Sequence, residues 1–196
     1  ESIPDTVVLL RDQGTGRDWN DAIFWSDGEA AGVGKAHQVG GVPGLGGTLR
    51  SPASGSPAFP GDSLSLGEGS VLRLKHGGVA SFPMVTAQNA TIQQGQVGQA
   101  IGVSGDFAVT DSLAIDIQGE NRRLDLVGAL SGSGNLSLQG VLGGVLSLST
   151  PISTLAGDVA IEDITVINAA PGSLRGGNVN LSGELWSDSA LNLFLI

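Results

Sequence analysis

From Gly61 onward the chain is written in short runs in which apolar and polar residues alternate, each closed by Gly, Asn, Asp or Ser. Gly61-Asp62-Ser63-Leu64-Ser65-Leu66-Gly67 and Ser70-Val71-Leu72-Arg73-Leu74-Lys75 open the series. It continues through Asp111 to Ile117, Arg123 to Leu126, Gly134 to Leu138, Gly144 to Leu148, Gly157 to Ile161 and Asn178 to Leu181, and closes with Leu191 to Leu195. Alternation with period two puts one set of side chains into a core and the other into water. Strands of this kind, recurring every 8–12 residues or so with turn residues between them, predict an all-β body.

Three architectures satisfy that pattern: a right-handed parallel β-helix, a β-sandwich or jelly roll, and a closed barrel. Aromatic residues make up only 4% of the chain, with no Tyr, and the apolar members of the runs are almost uniformly Leu, Val and Ile. Such a set suits stacked rungs, where like lies above like. Close-spaced Gly, Ser and Asn, as in Leu130-Ser131-Gly132-Ser133-Gly134-Asn135, suit the sharp corners of a coil. These features favour the β-helix. Three short strands and about 20–25 residues per rung give about six rungs over residues 61–196. The repeats look degenerate, with no strict period, unlike leucine-rich repeats, ankyrin repeats or propellers.

The whole chain reads as one module. Residues 1–60 form an N-terminal cap and loop-rich segment, and residues 61–196 form the rungs. Thr6 to Leu10 reads as a first strand or capping segment, and Gly40 to Gly47 and Ser51 to Gly61 as Gly/Pro-rich loops. Asp18 is placed to cap a single helical turn with Trp19, Ala22 and Ile23 on one side.

Gly accounts for 32 of 196 residues, over twice the usual ~7%. The net charge of −10, with Lys35 and Lys75 the only lysines, opposes nucleic acid and anionic lipid and disfavours polyanionic substrates. Lack of Cys removes disulfides, thiolate metal sites and Cys nucleophiles together. No run reaches the ~18 consecutive apolar residues of a membrane-spanning helix. The abrupt start at Glu1 and the apolar end, Leu191 to Ile196, read as the ends of a module excised from a longer, exported polypeptide.

Gly-Asn-Leu-Ser-Leu at Gly134 and Gly-Gly-Val-Leu-Ser-Leu at Gly143 resemble the strand repeats of bacterial autotransporter passenger domains, which are β-helical. Trp19-Asn20-Asp21-Ala22, Trp25-Ser26-Asp27-Gly28, Phe59-Pro60-Gly61-Asp62-Ser63-Leu64 and Leu72-Arg73-Leu74-Lys75 look similar to segments of large exported bacterial proteins. The composite also resembles the β-helical xylan-binding modules of carbohydrate-binding family 89. That resemblance implies a secreted, non-catalytic module that binds plant cell-wall xylan and holds an attached glycoside hydrolase near its substrate. The rivals are a structural or adhesive passenger fragment and a small β-helical polysaccharide lyase.

Four groups of residues are candidates for chemistry. Trp19, Trp25 and Trp186 are the large amphipathic platforms of the chain, and a flat indole covers the C–H face of a pyranose. Asn20, Asp21 and Asp27 stand beside two of them and supply hydrogen bonds to sugar hydroxyls; the same two Trp would equally plug the open end of a coil. Gln88, Asn89, Gln93, Gln94, Gln96 and Gln99 offer donors and acceptors to a neutral glycan, or stack as amide ladders along the solenoid. Arg73, Lys75 and His76, with Arg122 and Arg123, are the set a lyase would need, or are solvated outward charges. Asp18, Asn20, Asp21, Asp27 and Glu29 carry hard oxygens suited to calcium, in a spacing that matches no EF-hand. Carboxylate pairs such as Asp116 with Glu120, or Glu162 with Asp163, are common by chance among nineteen acids. No Gly-x-Ser-x-Gly, His-Glu-x-x-His or phosphate-loop motif occurs.

Overall fold

The computed structural model describes residues 6–95, 100–149, 154–168, 179–182 and 184–187. The strands are β1 (Thr6–Val8), β2 (Ala36–Val39), β3 (Thr48–Arg50), β4 (Ser63–Leu66), β5 (Val71–Leu74), β6 (Val79–Ala87), β7 (Ala90–Gln94), β8 (Ala100–Val109) and β9 (Ser112–Ile117). Next come β10 (Arg123–Leu126), β11 (Ala129–Gly132), β12 (Asn135–Gly140), β13 (Val145–Leu148), β14 (Thr154–Leu155), β15 (Val159–Glu162), β16 (Thr165–Asn168), β17 (Val179–Leu181) and β18 (Glu184–Ser187). The sequence run at Leu191 to Leu195 lies outside the described residues.

Each named strand pairs in parallel with strands one turn before or after it, and the result is a parallel β-solenoid of about five turns. Sandwich and barrel are thereby excluded. A parallel neighbour has to be reached by a crossover. Here the crossovers are themselves strands on the other flanks of the coil. One sheet runs β3-β5-β7-β9-β12-β15-β17. The larger sheet divides into two flanks, because β8 pairs through Ala100–Val103 with β10 and through Asp106–Val109 with β11.

Like does lie above like. Leu49, Leu72, Ile92, Ile115, Leu138 and Ile161 occupy one buried column at successive turns. Leu64, Val85 and Phe107 form a second, and Ile101, Leu124, Leu146 and Val166 a third. Turns consume 20 to 23 residues along the first column. From β7 through β9 and β12 to β15 the spacing is a constant 23, so this stretch has the strict period that the sequence pattern hides. It is hidden because Leu, Ile and Val interchange inside while polar types interchange outside.

Two differences concern the N-terminal third. Residues read as cap and loop already belong to the coil, since β1 pairs with β2, β2 with β4, and β3 with β5. The anticipated helical turn is a 3-10 turn at Ala22–Phe24, and its N-terminal residue is Asp21, whose side chain does not cap it. Trp19 is buried while Ile23 is 57% exposed, so the two do not share a side.

Corners stack as closely as strands. A Cβ added at Gly128 would lie 1.8 Å from the Gly105 carbonyl oxygen of the turn before, and one at Gly157 would lie 2.1 Å from the Gly134 oxygen. Only hydrogen fits there. Gly128→Ala is therefore expected to cost about 1–3 kcal/mol through forced backbone shifts. Gly14→Ala, at a position with open space, is the control for a thermal melt. Equal melting temperatures for the two variants would contradict the tight stacking of this corner.

Candidate functional site

The Trp residues come first, because sequence reasoning gave them the binding role. Trp19 is 0% exposed and Trp25 is 1% exposed. Trp19 packs edge-on against Phe59 and Phe82, each with ring centroids at 5.6 Å, and Trp25 packs edge-on against His37 at 4.8 Å. The Trp25 indole N–H donates to the Trp19 carbonyl at 2.9 Å. Neither ring has a free face for a ligand, and this corrects the expectation that they form a stacking platform. The physical reason is local. A coil of small aliphatic rungs leaves its first turn open, and large rings in the segment that folds across it fill the opening. Trp186 stands in β18 in register beside Ile167, and its side chain lies outside the described residues.

The polar neighbours serve the same cap. Asp18 Oδ1 accepts from the Asn20 amide, and Asp21 Oδ2 accepts from the Asp18 amide while Oδ1 lies 3.6 Å from Arg17. Asp27 pairs with Lys35 at 2.5 Å, and Glu29 joins the same ammonium. Asn20, Asp21 and Asp27 thus sit in two separate networks, and no three His, Asp or Glu side chains converge as a metal-binding group among the described residues. The calcium expectation gains no support from this geometry.

Both histidines are interior. His76 lies with Nε2 at 3.2 Å from the Gly102 carbonyl and Nδ1 at 3.1 Å from the Ser51 hydroxyl. Nε2 therefore donates, and Nδ1 accepts. His76 ties three turns together and is withdrawn from Arg73 and Lys75, which point outward from β5 and the residue after it. That separates the lyase set. His37 is 1% exposed and neither ring nitrogen has a hydrogen-bond partner among the described residues. Burial depresses both imidazoles below their ordinary value. Between the folded and unfolded values the unfolded chain binds more protons, so these groups favour the fold fully above about pH 6.5 and progressively less below it. The melting temperature is expected to fall from pH 7.5 toward pH 5, and His37→Leu to flatten part of that slope. An unchanged slope would mean that His37 has a route to solvent.

The outward face of the β3-to-β17 sheet is different in kind. Its middle column runs Thr91, Ala114, Ser137, Ala160 and Asn180, small side chains at one-turn intervals. On one side stands a column of Gln93, Asp116, Gln139 and Glu162. On the other, Ser112 pairs with Asn135, and the Asp158 amide donates to the Asn135 side chain at 3.0 Å. The small floor and the Ser112, Asn135 and Asp158 side make a shallow trough of about 250 Å³ lined by Ser112, Ala114, Asn135, Ser137, Asp158, Ala160 and Asn180, among others, while the Gln93-to-Glu162 column is an outer wall that does not line it. Both flanking columns are braced within themselves: Gln93 and Gln118 both donate to Asp116, at 3.1 and 2.9 Å, and Ser112 donates to Asn89 at 2.7 Å. Bracing fixes where hydroxyls, amides and carboxylates point.

The amide cluster is thus dispersed by the fold. Gln93 joins the wall, Asn89 holds a corner with φ of 51° and buttresses Ser112, Gln88 is exposed elsewhere on that corner, and Gln94 turns into the core. Gln96 and Gln99 lie outside the described residues. Sequence reasoning missed Ser112, Ala114, Asn135, Ser137, Asp158 and Ala160. Writing residues 89–162 at a 23-residue period would have aligned their columns. Set against protein-family models, curated proteins and solved structures, the chain matches none.

Proposed function

We propose that the chain is a non-catalytic carbohydrate-binding module that holds an extended, largely uncharged polysaccharide in the trough on the β3-to-β17 face. The observation that carries this reading is the ladder itself: hydroxyl, amide and carboxylate groups repeat once per turn beside a floor of Ala and Ser. Turns of a parallel coil are spaced by about 4.8 Å. A pyranose in an extended β-linked chain advances by a similar distance, so successive sugars meet equivalent partners. Carboxylates accept from sugar hydroxyls, and amides both donate and accept. A trough open along its length covers one side of the ligand, which makes binding modest.

The acidic surface does not oppose a neutral ligand, and xylan is the first candidate. In this reading the module is secreted and keeps an attached glycoside hydrolase on its substrate. Affinity electrophoresis against xylan, glucan, mannan and pectate tests it: retardation is expected in xylan and not in pectate. Unretarded migration in all four gels would leave the scaffold role of a passenger fragment in its place.

A further inference from the structure

The rim of the trough has an order of hydrogen-bond donors and acceptors that the fold itself sets. Asn89 donates from Nδ2 to Asp111 Oδ2 at 2.7 Å, so its Oδ1 is the atom that accepts from the Ser112 hydroxyl, also at 2.7 Å. That uses the one hydroxyl hydrogen of Ser112, which can offer a ligand only lone pairs. Asn135 stands in register with Ser112 one turn on, and its Oδ1 accepts from the Asp158 amide at 3.0 Å. What Asn135 can offer a ligand is therefore Nδ2, with its two hydrogens. Asp158 follows after a further turn and carries an acceptor-only carboxylate. Along the rim the order is acceptor, donor, acceptor.

The floor keeps the same two-turn period. Ala114 and Ala160 stand two turns apart with Ser137 between them, and the column continues with Thr91 on one side and Asn180 on the other. The Ser137 hydroxyl donates to Gln139 at 3.3 Å, so the donor that the middle turn presents beside the floor is Asn135. Rim and floor thus repeat together after two turns, about 9.6 Å.

We infer that the trough selects a flat ribbon of β-1,4-linked pyranoses with two-fold screw symmetry. The inference rests on the trough reading and adds to it the linkage and the bound conformation. In such a ribbon each sugar is turned over relative to the last, and the repeat of two sugars is close in length to two turns of the coil. One edge presents in turn the 2,3-diol of one sugar and the ring oxygen of the next. Diols two sugars apart donate to Ser112 and to Asp158, and the ring oxygen between them, which has no hydrogen to give, accepts from Asn135. A three-fold chain returns to the same edge only after three sugars, out of step with the Ser112-to-Asp158 spacing. A β-1,3-linked chain has no 2,3-diol at all, because its linkage occupies the 3-position.

The test compares linear xylohexaose with a β-1,3-linked glucose hexasaccharide by titration calorimetry, and reads the carbon chemical shift at C4 of the labelled xylohexaose. Xylan in water is a three-fold helix whose C4 shift differs from that of the two-fold form, so a change of conformer on binding is visible. The bound sugar is expected to show the two-fold shift, and xylohexaose to bind at least about fivefold more tightly than the β-1,3-linked chain. Asn135→Asp keeps an oxygen to accept the Asp158 amide but puts an acceptor where the ring oxygen needs a donor. It is expected to weaken xylohexaose binding at least about fivefold with the far-UV circular dichroism unchanged. A bound sugar that keeps the three-fold shift, equal affinity for the two hexasaccharides, or full affinity in Asn135→Asp overturns the ribbon and leaves the trough standing. Binding of neither hexasaccharide to the wild-type protein removes both.

Discussion

Replacing Trp19 by alanine is expected to release the first turn of the solenoid, with a loss of about 3–5 kcal/mol, the range for deleting a large buried aromatic side chain. Trp19 is fully buried, touches Phe59 and Phe82, and lends its carbonyl to the Trp25 indole and to the Ala31 amide. Its own amide donates to Arg50, the last residue of β3. The cavity would therefore open where the segment folded across the coil meets the first rungs. Solenoids are stabilised by neighbour-to-neighbour contacts, so damage at one end spreads only as far as the next well-packed turn. Hydrogen exchange is the sharpest readout: protection should fall in β1, β2 and β3 while β9 and β12 keep theirs. Polysaccharide retention measured below the melting transition should persist, because the trough lies further along the coil. A surface platform would behave in the opposite way, with retention lost and exchange unaltered; that pattern would sink the plug assignment.

The second large effect is expected at the trough floor. Ser137→Ile with Ala160→Ile places two branched side chains where the sheet offers only small ones, and should weaken polysaccharide retention about tenfold or more, equivalent to at least ~1.4 kcal/mol. Both positions point outward from strand centres, and isoleucine suits a pleated surface, so stability should change by no more than about 0.5 kcal/mol. Loss of binding with an unchanged melt would locate the ligand on this face. Undiminished retention would move the ligand elsewhere, whatever the gels show for the wild-type protein. The paired substitutions also discriminate between the flanks, since they leave the β6, β8 and β10 surfaces untouched.

The fold was legible where alternation was clean. Ser63–Leu66, Val71–Leu74, Ser112–Ile117 and Arg123–Leu126 all fall within the runs picked out from the sequence, and Asn135–Gly140 outruns the one that ended at Leu138 by two residues. β6 and β8 were not, because each continues across a corner: the pairing of β6 with β8 shifts register between Ser81 and Met84, and Gly105 bends β8 with φ of 143°. A bend interrupts the period of two that identifies a strand. β2 and β3 were hidden for another reason. Their flanking Gly and Pro signal loops, and a strand of three or four residues contributes too few alternations to outweigh them.

The candidate site was less legible. Aromatic side chains attract attention for binding because they bury much area, but that property draws them equally to a core, and Trp19 and Trp25 went there. The residues of the trough are small and common. Ala114, Ser137 and Ala160 acquire meaning only from standing above one another, and Asn135 only from standing between Ser112 and Asp158.

Local alternation and turn chemistry therefore determined, from the sequence alone, that this chain forms short strands with one apolar face and that those strands stack as a coil. Only the tertiary structure decided the registers, and with them which side chains plug the end, which face is floored with small residues, and where donors and acceptors alternate. The physical reason is range. Pleat and turn propensities act within a few residues, whereas a column on a solenoid joins residues a full turn apart, and nothing local distinguishes an outward serine that faces water alone from one that completes a surface.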